Sequence, residues 1–130
     1  MNQKGFATLE VILMVVVIGI LASIAVPRFT DITTKANTAK VQADLSTLDS
    51  ASQVYYMEKG EYTDVAGLKS GGYLNAEPTV PEGSIYLGSA TATKITSAEY
   101  GVETSGNNEG RAYITIDGKQ YYIGDIGKKS

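Results

Sequence analysis

The 130-residue chain carries 11 basic and 14 acidic residues, a formal net charge of −3, and is 43% apolar, which bounds it at one small domain plus an appendage. With neither cysteine nor histidine it can build no disulfide framework, no imidazole base and no His or Cys metal site, so most hydrolase triads are excluded. The basic residues are scattered, Lys128-Lys129 being the one basic run, which argues against a binder of phosphate backbones. In chain order, the first predicted element is an apolar helix. No side chain from residue 11 to residue 26 is charged, and residues 6–26 as a helix reach about 31 Å at ~1.5 Å per residue, enough to cross the core of a bilayer. A secretory signal peptide has a shorter apolar region and ends in a small-x-small cleavage site, which "IAVPRF" is not. The uninterrupted length also speaks against a buried helix of a soluble protein. Lys4 and the free N-terminus favour a cytoplasmic start, with everything after Arg28 outside.

Glu10 stands near the start of this span, where an ionised carboxylate is costly unless it is paired. Glu10 also lies only about 6 Å along the helix from Phe6, so reaching the headgroups is the alternative to a partner. Further along, Gly19 has low helical propensity, and Pro27 has no N–H to offer the carbonyl of Ser23, so a kink or local melting is cheap between them.

Residues 28–59 continue the helical pattern without Pro or Gly, and Val41, Leu45, Leu48 and Tyr55 fall on one face, the expected contact with a globular head. Roughly opposite lie Ile32, Ala36, Ala39, Ala43 and Val54, a narrower stripe of mostly small side chains suited to subunit contact or simply to helix formation. Gly60 is the expected C-cap. A helix continuous from residue 6 to this cap is about 80 Å long. So small a head cannot bury it, and it must find burial in lipid, in sister subunits or in both.

Residues 60–130 change character, with most of the glycine. "TDVAGLKSGGYL" predicts a short helix with Thr63 or Asp64 as N-cap and Gly71 as stop, and "NAEPTVPEGS" a loop. "RAYITIDGKQYYIGDI" predicts a hairpin with a type I′ turn at Asp117-Gly118, pairing Ile116 with Lys119, Ile114 with Tyr121 and Ala112 with Ile123. "AEYGVETS" supplies a third antiparallel strand through the "GNNEG" loop, and "SIYLG" and "TATKIT" are weaker strand signals. The fold class is α+β: a long N-terminal helix, its first half for the membrane and its second half amphipathic, packed against a small antiparallel sheet.

Lys4-Gly5-Phe6, then Glu10, then an apolar span containing Gly19 and ending at Pro27, resembles the start of a bacterial type IV prepilin over about the first fifty residues. The resemblance implies a leader, 1–5, cut between Gly5 and Phe6 by a membrane-embedded prepilin peptidase that N-methylates the new Phe6 terminus. It further implies a filament-core half, 6–27, an amphipathic half, 28–59, and a head, 60–130. In such a filament the Phe6 amine of one subunit lies beside Glu10 of its neighbour, and the stretch bracketed by Gly19 and Pro27 unwinds. The usual Phe-Thr-Leu order appears here as Phe6-Ala7-Thr8-Leu9, which keeps Glu10 in register.

The expected function is therefore structural rather than enzymatic: the subunit of a type IV pilus, a helical homo-oligomer. It would begin as a single-pass precursor in the cytoplasmic membrane and be polymerised by an assembly ATPase and a platform protein. The alternative within the superfamily is a pseudopilin of a type II secretion or DNA-uptake machine, and from another class a single-span envelope binding protein. Adhesion, motility, DNA uptake and secretion are not separated by sequence. Asn107, Asn108, Glu109, Asp117 and Asp125 are oxygen donors of the kind calcium uses, and pseudopilins can hold calcium in this part of the head, but their spacing matches no loop motif. Glu99, Glu103 and Asp125 show no pattern of paired catalytic carboxylates, and the nine tyrosines are the composition of core and interface packing.

Overall fold

The structure is a computed structural model that describes residues 3–128; Lys129 and the side chains of Val26 and Pro27 lie outside the described residues. The chain divides into two compact units, one ending at Thr33 and the other beginning at Thr34. Helix α1, Gln3–Lys59, supplies the first unit and the opening element of the second, and its assignment runs unbroken through Gly19 and Pro27. It stops where the sequence offers a left-handed residue: Gly60 has φ +74° and donates its N–H to the Tyr56 carbonyl at 2.7 Å.

In the second unit the apolar stripe of α1 is the floor of the core. Val41, Leu45 and Leu48 are fully buried and Tyr55 packs against their cluster. Burial of each such aliphatic side chain stabilises by about 1.5–3 kcal/mol. The short helix α2, Val65–Ser70, is capped by Asp64, whose carboxylate accepts from the Gly67 N–H at 2.8 Å, and it delivers Leu68 to the core. Five strands follow: β1 Gly83–Tyr86, β2 Ala92–Ile95, β3 Ala98–Val102, β4 Ala112–Ile116 and β5 Lys119–Tyr122. They form an antiparallel pair, β1-β2, and a separate antiparallel sheet in the order β3-β4-β5.

The β4-β5 hairpin has the register its alternation dictates, with Ile116 opposite Lys119 and Ile114 opposite Tyr121. Its turn residues Asp117 and Gly118 both take positive φ, +50° and +86°, as a type I′ turn requires. One expected pair does not form. Ile123 is not opposite Ala112, because the chain leaves the sheet after Tyr122 into a single 3₁₀ turn, Ile123–Asp125, where the Asp125 carboxylate accepts from the Tyr122 N–H at 3.0 Å. That bond caps the turn, and the turn carries Ile123 out of register with Ala112. Ile126 then returns to the core.

Polar side chains flanking the stripe of α1 hold the strands in place. Asn37 donates to the carbonyls of Glu82 and Ser84, and Thr38 accepts from the Tyr86 N–H at 3.0 Å. Gln42 donates to the Ile126 carbonyl at 2.7 Å, and Asp49 accepts from the Ala112 N–H at 2.6 Å. Each satisfies a backbone group, in or beside a strand or, for Ile126, just after the 3₁₀ turn, that would otherwise be costly to bury. Lys40 bridges Asp44 and the Thr79 carbonyl, pinning the loop before β1 to the helix. The Tyr100 hydroxyl donates to the same carboxylate oxygen, Asp44 Oδ2, at 2.7 Å.

Burial, then the bond to Asp44, pushes the Tyr100 phenol well above its ordinary value of about 10. A raised folded value means that the folded unit keeps a proton the unfolded chain gives up. The resulting stability is complete below about pH 10 and is lost as the pH climbs beyond it. Thermal unfolding measured between pH 8 and pH 11 should therefore fall steeply at the alkaline end. Tyr100→Phe should flatten that fall while lowering stability at pH 8 by about 1 kcal/mol for the lost hydrogen bond.

Candidate functional site

The first unit buries almost nothing. The most apolar 18-residue window of α1 has mean hydropathy 2.8 with no part of it buried, and Phe6, Leu13 and Ile18 are 54%, 57% and 64% exposed. By length and composition this helix can cross a bilayer. Its hydroxyls need no water: Thr8 donates to the Lys4 carbonyl at 2.9 Å and Ser23 to the Ile20 carbonyl at 2.7 Å, so they can enter lipid satisfied. Glu10 is exposed and shares one helix face with Leu13, Met14, Val17 and Ile18. It makes no hydrogen bond or ion pair among the described residues. Gly5, Phe6 and Gly19 are likewise exposed, with open space where a Cβ on either glycine would stand.

In the second unit the face of α1 turned away from the core is exposed along its length. Ala36, Ala39, Ala43, Ser46, Ser50, Val54 and Met57 follow one another at helical spacing, all exposed and none charged. Ser50 donates to the Ser46 carbonyl at 3.0 Å and the adjacent Thr47 to the Ala43 carbonyl at 2.9 Å. A face with few unmet polar groups loses little when water is removed from it. The small stripe expected from sequence is thus present, and Ser46 and Ser50 extend it through its middle.

The five oxygen donors considered for calcium are each engaged or exposed separately. Asn108 bonds to the Tyr122 hydroxyl at 3.3 Å and accepts from Arg111 at 3.2 Å, while Asp117 accepts from Thr96 and Asp125 from the Tyr122 N–H. Asn107 and Glu109 are exposed on the turn between β3 and β4. No group of three acidic side chains placed to hold a metal forms among the described residues.

The comparisons with known proteins join the two units. The chain is 36% identical over 86 residues to the type II secretion system core protein G of Klebsiella michiganensis, covering 65% of this chain and 58% of that protein. To the protein of the same name from Pectobacterium carotovorum subsp. carotovorum it is 31% identical over 112 residues, covering 85% of this chain and 70% of that protein. The chain belongs to the type IV pilin and pseudopilin family. A shorter stretch of 51 residues, 39% of the chain and 44% of the relative, is 49% identical to the type IV narrow pilus major component PilA5 of Thermus thermophilus. No family model matches the chain, and no solved structure matches it significantly. Relatives named for secretion systems and for pili describe structural components, and pilins and pseudopilins share polymeric assembly.

Proposed function

We propose that the chain is a pseudopilin, the repeating structural subunit of a type II secretion filament. The observation that carries this reading is the match to a secretion core protein over 85% of the chain, head included. The relatives therefore favour secretion over the pilus role expected first from sequence. In this reading the precursor is held in the cytoplasmic membrane by residues 6–27 and cut between Gly5 and Phe6 by a prepilin peptidase. The new Phe6 terminus is methylated, and a platform protein and an ATPase drive polymerisation. The uncharged face of α1 from Ala36 to Met57 meets another copy, and Glu10 meets the Phe6 amine of a neighbour. Gly19 and Pro27 mark where the helix yields in the filament.

Mass spectrometry of the protein from its native cell should give methyl-Phe6 as the first residue. Deleting the coding region should abolish export of secreted enzymes, and Ala43→Glu, which places a charge in the proposed contact, should lower filament yield about tenfold. An intact Met1 terminus in working protein would overturn the reading. The match to a narrow-pilus component favours a second one, a type IV pilus subunit. A deletion strain that keeps export but loses surface fibres would select it.

A further inference from the structure

The chain has three methionines and neither cysteine nor tryptophan, so its readily oxidised side chains are the thioethers. Met1 lies outside the described residues, and Met14 sits in the apolar span beside Glu10. Met57 is different. It is 81% exposed, more than Phe29 at 69% or any other exposed large hydrophobic side chain described, and it stands in the last turn of α1. It occupies the last position of the uncharged face, following Val54, which is 46% exposed. A thioether so placed is open to small oxidants, whereas one inside lipid is shielded from them.

We propose that Met57 is an oxidation site whose product blocks association through this face, the oxidant being hydrogen peroxide. The sulfur lone pair attacks one peroxide oxygen and an S–O bond forms as the O–O bond breaks. The thioether loses two electrons to become a sulfoxide, and the other oxygen leaves as water. The change replaces a flexible apolar side chain with a polar, chiral one bearing a strong acceptor. In the free subunit that acceptor is hydrated at no cost. Against the alanine, Val54 and Met57 side chains of a second copy it meets no charged donor, so contact requires stripping its water. The inference rests on the reading of this face as a contact between copies.

The test uses the chain cut at Phe6, purified in detergent and exposed to hydrogen peroxide, with peptide mass mapping and with polymer yield measured after detergent removal. The peptide containing Met57 should gain one oxygen before that containing Met14, and yield should fall about tenfold in step with it. Met57→Leu should keep full yield after the same exposure, and Met57→Gln should assemble poorly without any oxidant. Full yield from chain oxidised completely at Met57, or equal loss in Met57→Leu, overturns the proposal. Ala43→Glu separates the two readings. If that variant fails to assemble while Met57 sulfoxide assembles normally, only the oxidation role falls. If Ala43→Glu assembles normally, the contact face itself is wrong.

Discussion

Replacing Leu45 by alanine is expected to destabilise the second unit by about 3 kcal/mol, within the range of Leu→Ala changes in packed cores. Leu45 is fully buried between Val41 and Leu48, which are themselves fully buried, so no neighbour has free space from which to move into the gap. The loss combines the transfer free energy of the removed methyl and methylene groups with the cavity they leave. Val54, on the opposite face and 46% exposed, is the control: Val54→Ala should change stability by less than about 0.5 kcal/mol. Urea unfolding of the full chain in detergent, followed by near-ultraviolet circular dichroism of the tyrosines, measures both. Equal effects at the two positions would mean that α1 does not divide into a core face and an outer face.

That division was legible in the sequence because a 3.6-residue period is set by local geometry. Val41, Leu45, Leu48 and Tyr55 announce their face wherever the helix finds a partner. The β4-β5 hairpin was equally legible, since Asp117-Gly118 fixes both turn type and register. The end of β5 was not. It depends on an aspartate side chain capping a single turn, a local bond that no periodicity records. Nor did the sequence disclose the ties from Asn37, Thr38, Gln42 and Asp49 to the strands. Their only signal is that short polar residues flank the apolar stripe, and which backbone group each meets is decided by the tertiary arrangement.

The assembly surface divides in the same way. Length and hydropathy disclosed the apolar span, and spacing disclosed the small stripe on α1. What spacing could not reveal is that the Ser50 hydroxyl within that stripe and the Thr47 hydroxyl beside it turn back onto the helix. This back-bonding matters energetically. Serine and threonine facing water would oppose dehydration of the face, whereas hydroxyls already bonded to a carbonyl allow close approach at little cost. The free chain thus has two surfaces that gain by leaving water, one fit for lipid and one fit for another copy.

Glu10→Ala is the second change of large expected effect. The variant should insert in the membrane and be cut between Gly5 and Phe6 as usual, yet give roughly a hundredfold less filament. Glu10 is the only charged side chain between Phe6 and Arg28, and it makes no ion pair or hydrogen bond within its own chain among the described residues. A carboxylate in that position gains most from a cation brought by another molecule, and a chain cut as proposed would carry one at its new terminus. In the proposed filament, removing Glu10 would leave the Phe6 amine of the neighbour without a counter-charge in an apolar core, and an unpaired buried charge costs more than the intact pair returns. Glu10→Gln should fail in the same way, since it keeps the shape but not the charge. Insertion and cleavage report the membrane step, and filament yield reports the pairing. If both variants polymerise at the normal yield, then Glu10 simply extends to the headgroups about 6 Å along the helix from Phe6, and the amine finds its counter-charge elsewhere.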